Sequence, residues 1–167
     1  MSKARMDQYL DAWDRLRPVA LFGYPSSIAL FVRHARMRSR SLNTARLRAV
    51  FATGEVCYPQ DRKVIEDYFG VPVADGYGSR EAGFIAHQCQ HGGMHVTAEN
   101  VIVEILQDGQ EAALGEPGEI VVTHLDTYGM PFIRYRTGDV GQLLPGRCQC
   151  GRGLPLIYSV IFGQEEG

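Results

Sequence analysis

The sequence predicts an α/β fold: parallel strand-helix alternation followed by a β-rich subdomain. Two observations carry this. Up to Gly83, stretches with apolar residues at helical spacing alternate with short apolar runs, joined by short connections, which is what a parallel sheet covered by helices requires. Beyond Gly83, helical periodicity disappears. Short alternating segments are separated there by turn chemistry such as Gln107-Asp108-Gly109 and Gly115-Glu116-Pro117-Gly118. The division is accordingly expected near Gly83, with an α/β segment over 1–83 and the β-rich subdomain over 84–167.

Taken in order, Met6 to Leu16 carries Leu10, Trp13 and Leu16 with charges between them, an amphipathic helix that Pro18 ends. Val19 to Phe22 is a short apolar run. After Gly23-Tyr24-Pro25-Ser26-Ser27, whose serines offer an N-cap, a helix is expected from about Ile28 to Met37. Leu47 to Ala52 reads as a buried strand with Thr53-Gly54-Glu55 at its carboxyl end. Pro59 to Phe69 reads as a helix stopped by Gly70, and Val71 to Ala74 as the next strand. In the second part, strands are expected at Phe84 to His87, Val101 to Leu106, Glu119 to Leu125, Phe132 to Tyr135 and Val140 to Leu144.

The 167 residues suffice for one core plus a small appended subdomain. With 17 basic against 19 acidic residues the net charge is −2, and no basic stripe asks for nucleic acid or an anionic membrane. Arg33, His34, Arg36, Arg38 and Arg40 read as a solvated helix end favoured by the dipole. The N-terminus through Trp13 is charged and lacks the apolar segment of a signal peptide. No apolar run is long enough to span a bilayer. A cytoplasmic protein is the expectation, and the four unevenly placed cysteines fit it, since they do not form a disulfide framework. Cys57 stands alone as a small core or near-surface residue.

Three groups of residues carry chemistry. In Asp75-Gly76-Tyr77-Gly78-Ser79-Arg80-Glu81-Ala82-Gly83, the glycines permit close backbone approach to a ligand. Tyr77 offers a flat face for a purine, Ser79 a hydroxyl, and Glu81 a carboxylate for magnesium. The same stretch reads equally well as a glycine-rich turn between strands. Asp139, after Thr137-Gly138, can accept hydrogen bonds from both hydroxyls of a ribose; alone it reads as a turn-capping residue.

The third group is His87-Gln88-Cys89 and Cys148-Gln149-Cys150, each an i, i+2 pair projecting from one face of an extended strand. Together His87, Cys89, Cys148 and Cys150 supply four ligands suited to a structural zinc, with His91 or His95 as alternates. Unliganded thiols are the competing reading, and His95 reads also as a cleft residue or a satisfied strand histidine.

In combination these motifs resemble the adenylate-forming superfamily, and within it the phenylacetate-CoA ligase branch, which includes the proteins named as coenzyme F390 synthetases. The resemblance runs from about Arg17 to Gly163. It rests on Gly23-Tyr24-Pro25-Ser26, Phe51-Ala52-Thr53-Gly54-Glu55, Tyr77-Gly78-Ser79-Arg80-Glu81, Gly92-Gly93-Met94-His95, Met130 to Asp139, and Cys148-Gln149-Cys150-Gly151-Arg152. It implies part of the N-terminal region of such a ligase. Gly54 and Glu55 would lie along the adenine of ATP or AMP, Tyr77 would pack against it, and Gly78 belongs to the same motif. Ser79 would sit near the α-phosphate and acyl carbonyl, Glu81 would hold magnesium, and Asp139 would bind the ribose. The implied reaction turns a carboxylic acid and ATP into an acyl-adenylate, then a thioester with coenzyme A; phenylacetate is the acid of the branch's name.

The family's phosphate loop has no counterpart before Arg17, its lysine-bearing C-terminal domain none before Gly167, and Gly163-Gln164 stands where glycine-arginine is usual. The expectation is a fragment unable to complete adenylation alone. A non-catalytic nucleotide- or zinc-binding piece is the alternative. Apolar faces of the N-terminal helix would allow two chains to pair as a homodimer.

Overall fold

The computed structural model describes residues 2–160. The chain divides into two compact units, Met1–Asp75 and Gly76–Gly167.

The first unit opens with α1 (Lys3–Leu16), which Ser2 caps by accepting from the Arg5 N–H at 3.3 Å. Its buried residues Met6, Leu10 and Trp13 fall at helical spacing on one face. The helix ends where Arg17 turns left-handed at φ 45° and returns its N–H to the Trp13 carbonyl, and Pro18 cannot continue it. Next come β1 (Ala20–Gly23), α2 (Pro25–Met37), β2 (Ala49–Thr53), α3 (Pro59–Phe69) and the start of β3 (Val73–Ser79). The strand order is β1-β2-β3, with Ala20 to Gly23 paired in parallel to Ala49 to Ala52.

α2 begins three residues earlier than the serines suggest. Tyr24 is the N-cap and Pro25 sits in the first turn, where its fixed φ and missing N–H cost nothing. Gly70 closes α3 at φ 68°, as the sequence indicates. The core of this unit is aromatic: Trp13 stacks on Phe69 at 5.3 Å between centroids and on Phe31 at 6.1 Å. The Trp13 indole N–H donates to the Asn43 carbonyl at 2.8 Å, so the burial leaves its polar atom satisfied.

The second unit is antiparallel. It contains the end of β3, β4 (Gly83–Gln88), β5 (Met94–Val96), β6 (Val101–Gln107), β7 (Gln110–Glu111), β8 (Gly118–His124), β9 (Tyr135–Leu144) and β10 (Leu156–Val160). The order is β3-β4-β5-β10-β9-β8-β6-β7. Ile85, Val101, Ile105, Ile120, Val122 and Ile157 form its core.

The structure also departs from the sequence reading around β3 and in the second unit. Asp75 to Ser79 continues β3 rather than forming a loop, because Gly76 to Ser79 pairs with β4. That pairing also sets the division at Asp75/Gly76 instead of near Gly83. The strands expected at Phe132 to Tyr135 and Val140 to Leu144 are replaced by one long β9, which starts at Tyr135. β5, β7 and β10 are additional. Gly163-Gln164 lies outside the described residues. Among the described residues no helix is long and apolar enough to cross a membrane.

Candidate functional site

In the first unit, Gly54 and Glu55 follow β2. Gly54 adopts φ 81°, and a Cβ there would lie 2.5 Å from the Tyr24 ring; the close approach it permits is to that ring. Glu55 Oε1 accepts from the Ser26 N–H at 2.6 Å. A carboxylate is thereby placed on the exposed amides at the α2 N-terminus, where the helix dipole favours negative charge. An apolar hollow of about 450 Å³ in the same unit is lined by Tyr9, Trp13, Leu16, Phe22, Tyr24 and Phe31, among others. Tyr24, whose ring packs over Gly54, is part of that lining.

In the second unit, Tyr77 is the pivot. Its ring is only 4% exposed and belongs to the core, so it presents no open face of the kind the sequence suggests for a purine. Its hydroxyl donates to Asp139 Oδ2 at 2.7 Å. Burial drives the Tyr77 pKa well above the usual phenol range; the Thr137 hydrogen bond opposes this and the Asp139 carboxylate adds to it. The group therefore stays a donor.

Asp139 is held by a bulge. Glu119 pairs with Val140 and Val121 with Arg136, leaving Thr137-Gly138-Asp139 opposite Ile120 alone. Gly138 turns at φ 80°. Thr137 Oγ1 donates to the Ile120 carbonyl at 2.9 Å and accepts from the Asp139 N–H at 3.1 Å. A bulge of this kind re-aims side chains within a strand, and here it turns Asp139 to the Tyr77 hydroxyl.

Ser79 ends β3, and its Oγ accepts from the Ala82 N–H at 3.0 Å, shaping the turn that carries half-buried Glu81. Gly78 is required by its own backbone: a Cβ there would lie 2.2 Å from the Gly83 carbonyl oxygen, so β3 and β4 cross too closely for any side chain. Close approach at Gly78 is to β4, not to an open cleft.

The soft donors converge differently from their sequence spacing. Cys89, His95, Cys148 and Cys150 place their ligand atoms all within 4.8 Å of one another. His87 is not in this set. It lies on β4 directly opposite His95 on β5, and β5 stands between β4 and β10. His95 is thus one strand, about 4.8 Å, nearer the loop that carries the other two cysteines. His91 contributes its backbone N–H, which donates to Cys89 Sγ at 3.4 Å. Cys89 and Cys148 titrate unequally. Burial raises the Cys89 pKa, but the His91 N–H, the His95 ring, Cys148 and the Gly93 backbone outweigh it and bring it to about 6. The Cys150 N–H lowers that of Cys148, yet burial and the neighbouring thiols leave it raised. β5 spans three residues, too few for a period-two pattern to stand out, which is why His95 ranks only as an alternate in the sequence.

The fold is that of the N-terminal region of adenylate-forming CoA ligases. Over 93% of this chain it superposes, with a TM-score of 0.79 and 26% identity, on 37% of 2-hydroxyisobutyryl-CoA ligase in an open conformation with 2-HIB-AMP and CoA. The family model for AMP-binding enzymes matches residues 1–127, and the chain belongs to that family of enzymes. A phenylacetate-coenzyme A ligase of Escherichia coli is 35% identical over 102 residues, covering 58% of this chain and 23% of that protein. One from Thermus thermophilus is 27% identical over 142 residues, covering 81% of this chain and 32% of that protein. The chain thus spans about a quarter to a third of the curated relatives. The amide bond synthetase McbA of Marinactinospora thermotolerans, at 24% identity and TM-score 0.67 over 92% of this chain and 33% of its own, shares the fold.

Proposed function

We propose that this chain is the adenosine- and magnesium-binding portion of an ATP-dependent carboxylate-CoA ligase, with an aryl acid such as phenylacetate as a candidate substrate. One observation carries the reading: in a chain of the AMP-binding family, Asp139 is presented by a three-residue bulge and held by Tyr77. With one carboxylate oxygen anchored on a phenol that stays protonated, Asp139 keeps lone pairs for two ribose hydroxyls. Tyr77 then orients the carboxylate rather than covering the purine.

Ser79, the last residue of β3, and Glu81, in the turn that follows it, supply the hydroxyl and the hard carboxylate oxygen suited to the phosphate side. Magnesium on Glu81 would offset phosphate charge as the acid's carboxylate attacks the α-phosphorus and pyrophosphate leaves. The thiol of coenzyme A then displaces AMP from the acyl-adenylate. The protein's part in both steps is positioning and fixed electrostatics.

Calorimetric titration with AMP tests the reading. Binding is expected, and Asp139→Asn should weaken it about tenfold or more, the loss of charge-assisted hydrogen bonds amounting to roughly 1.5–3 kcal/mol. AMP lacking both ribose hydroxyls should bind the two proteins alike. Absence of heat with AMP, or equal affinity in Asp139→Asn, would sink it. For this chain by itself, incubation with ATP, magnesium and arylacetic acids is expected to release no pyrophosphate; release at catalytic rates would show that it completes adenylation unaided.

A further inference from the structure

We propose that Cys89, His95, Cys148 and Cys150 form a closed structural zinc site that clamps the β4–β5 turn to the loop between β9 and β10. This site is independent of the nucleotide chemistry.

The distances fit a metal better than free thiols. Cys89 Sγ and Cys148 Sγ are 3.6 Å apart, and Cys150 Sγ is 3.2 Å from His95 Nε2. Four ligands at zinc's usual bond lengths place two sulfurs about 3.8 Å apart, and a sulfur and a nitrogen about 3.5 Å apart. A disulfide needs about 2.05 Å, and all four cysteines are free thiols. Three thiolates and an imidazole, with no carboxylate in the set, select zinc over magnesium or calcium. Four protein ligands leave no open position, so the role is structural.

The backbone is shaped for the cluster. The Cys89 N–H donates to the Gly93 carbonyl, the Gly92 N–H returns to the Cys89 carbonyl at 2.9 Å, and Gly92 adopts φ 83°. This turn folds Cys89 back beside His95. On the other side the Gly151 N–H donates to the Cys148 carbonyl at 3.1 Å, with Gly151 at φ 80°. Gly93 has no room for a side chain: a Cβ there would stand 2.8 Å from Cys148 Sγ and 3.4 Å from His95 Nε2. His95 is fully buried, and its Nδ1 has no hydrogen-bond partner among the described residues. A metal on Nε2 gives that burial a cause.

The clamp falls where the sheet is weakly sewn. β10 is registered with β5 at the single pair Leu156↔His95, whereas with β9 it runs through five pairs. A metal there joins the hairpin that pairs with the Tyr77 strand to the hairpin that carries Asp139.

The test is elemental analysis of the full chain purified without a histidine tag, together with replacement of the metal by cobalt(II). About one zinc per chain is expected, and the cobalt form should show thiolate-to-metal charge transfer and the intense visible bands of a tetrahedral site. His87→Ala and Cys57→Ser should keep the metal, while His95→Ala and the double variant Cys148→Ser/Cys150→Ser should lose it. Because the latter variants could fail to fold, wild-type protein titrated with a mercurial gives a second reading: zinc release should track modification of three thiols. Protein that contains no zinc and takes up neither zinc(II) nor cobalt(II) overturns the proposal, as does metal loss in His87→Ala with retention in His95→Ala.

Discussion

Tyr77 illustrates how a side chain's neighbours set its task. Its phenol could in principle stack on a base, but in this fold the ring fills the core of the second unit and only the hydroxyl reaches a functional group, Asp139. Gly78 is a similar case: the glycine invites a ligand-based explanation, and the 2.2 Å clash with the Gly83 carbonyl supplies a backbone one. Cys57 lies at the other extreme of cysteine chemistry from Cys89. Burial pushes its thiol up to about 11; Arg62 opposes this, and the carboxylates of Asp75, Asp61 and Glu66 reinforce it. Since the thiolate is the nucleophile, Cys57 should alkylate slowly with iodoacetamide at neutral pH and faster as pH climbs toward 11. Mass-spectrometric mapping checks this, and Cys57 being the first thiol labelled would contradict it.

Between elements, the pin joining α1 to α2 is electrostatic. Asp7 receives His34 Nε2 at 2.7 Å on Oδ1 and Arg38 Nη2 at 2.6 Å on Oδ2. His34, buried on α2, is the larger cause and Arg38 the next of a pKa held below 3.8. The unfolded chain binds that proton more tightly than the folded one. The contribution is therefore fully present above about pH 3.8 and is lost as pH falls through the lower folded value. Asp7→Asn should accordingly lower the urea midpoint at neutral pH, and its deficit against wild type should shrink below pH 3.8; a deficit independent of pH would rule out this ion-pair origin. The arginine patch at the end of α2 is thus only partly a solvated helix end, since Arg38 and Arg40 pair with acids of α1. The bulge in β9 is the other element-level device. Thr137-Gly138-Asp139 reads as a turn after a strand, yet it lies within one, because β8 pairs on both sides of it.

Each compact unit of the molecule has its own core, and the first is organised around one indole. Trp13 stacks on two rings and spends its N–H on Asn43. Trp13→Ala should destabilise the first unit by about 3–5 kcal/mol, the usual cost of emptying so large a site; a thermal melt unchanged from wild type would refute that assignment. The sequence by itself determined the α/β class, the three helices with α3 at its full extent, the family, and the residues Tyr77, Ser79, Glu81 and Asp139 as a group to watch. Those features rest on local signals: helical spacing, proline and glycine stops, and contiguous motifs. Only the tertiary structure decided that β3 runs on through Ser79, that Tyr77 faces inward to Asp139, and that His95 rather than His87 joins Cys89, Cys148 and Cys150. Each of these depends on which strand lies beside which. That order is set by pairing between segments distant in the chain, and spacing within a single segment does not encode it.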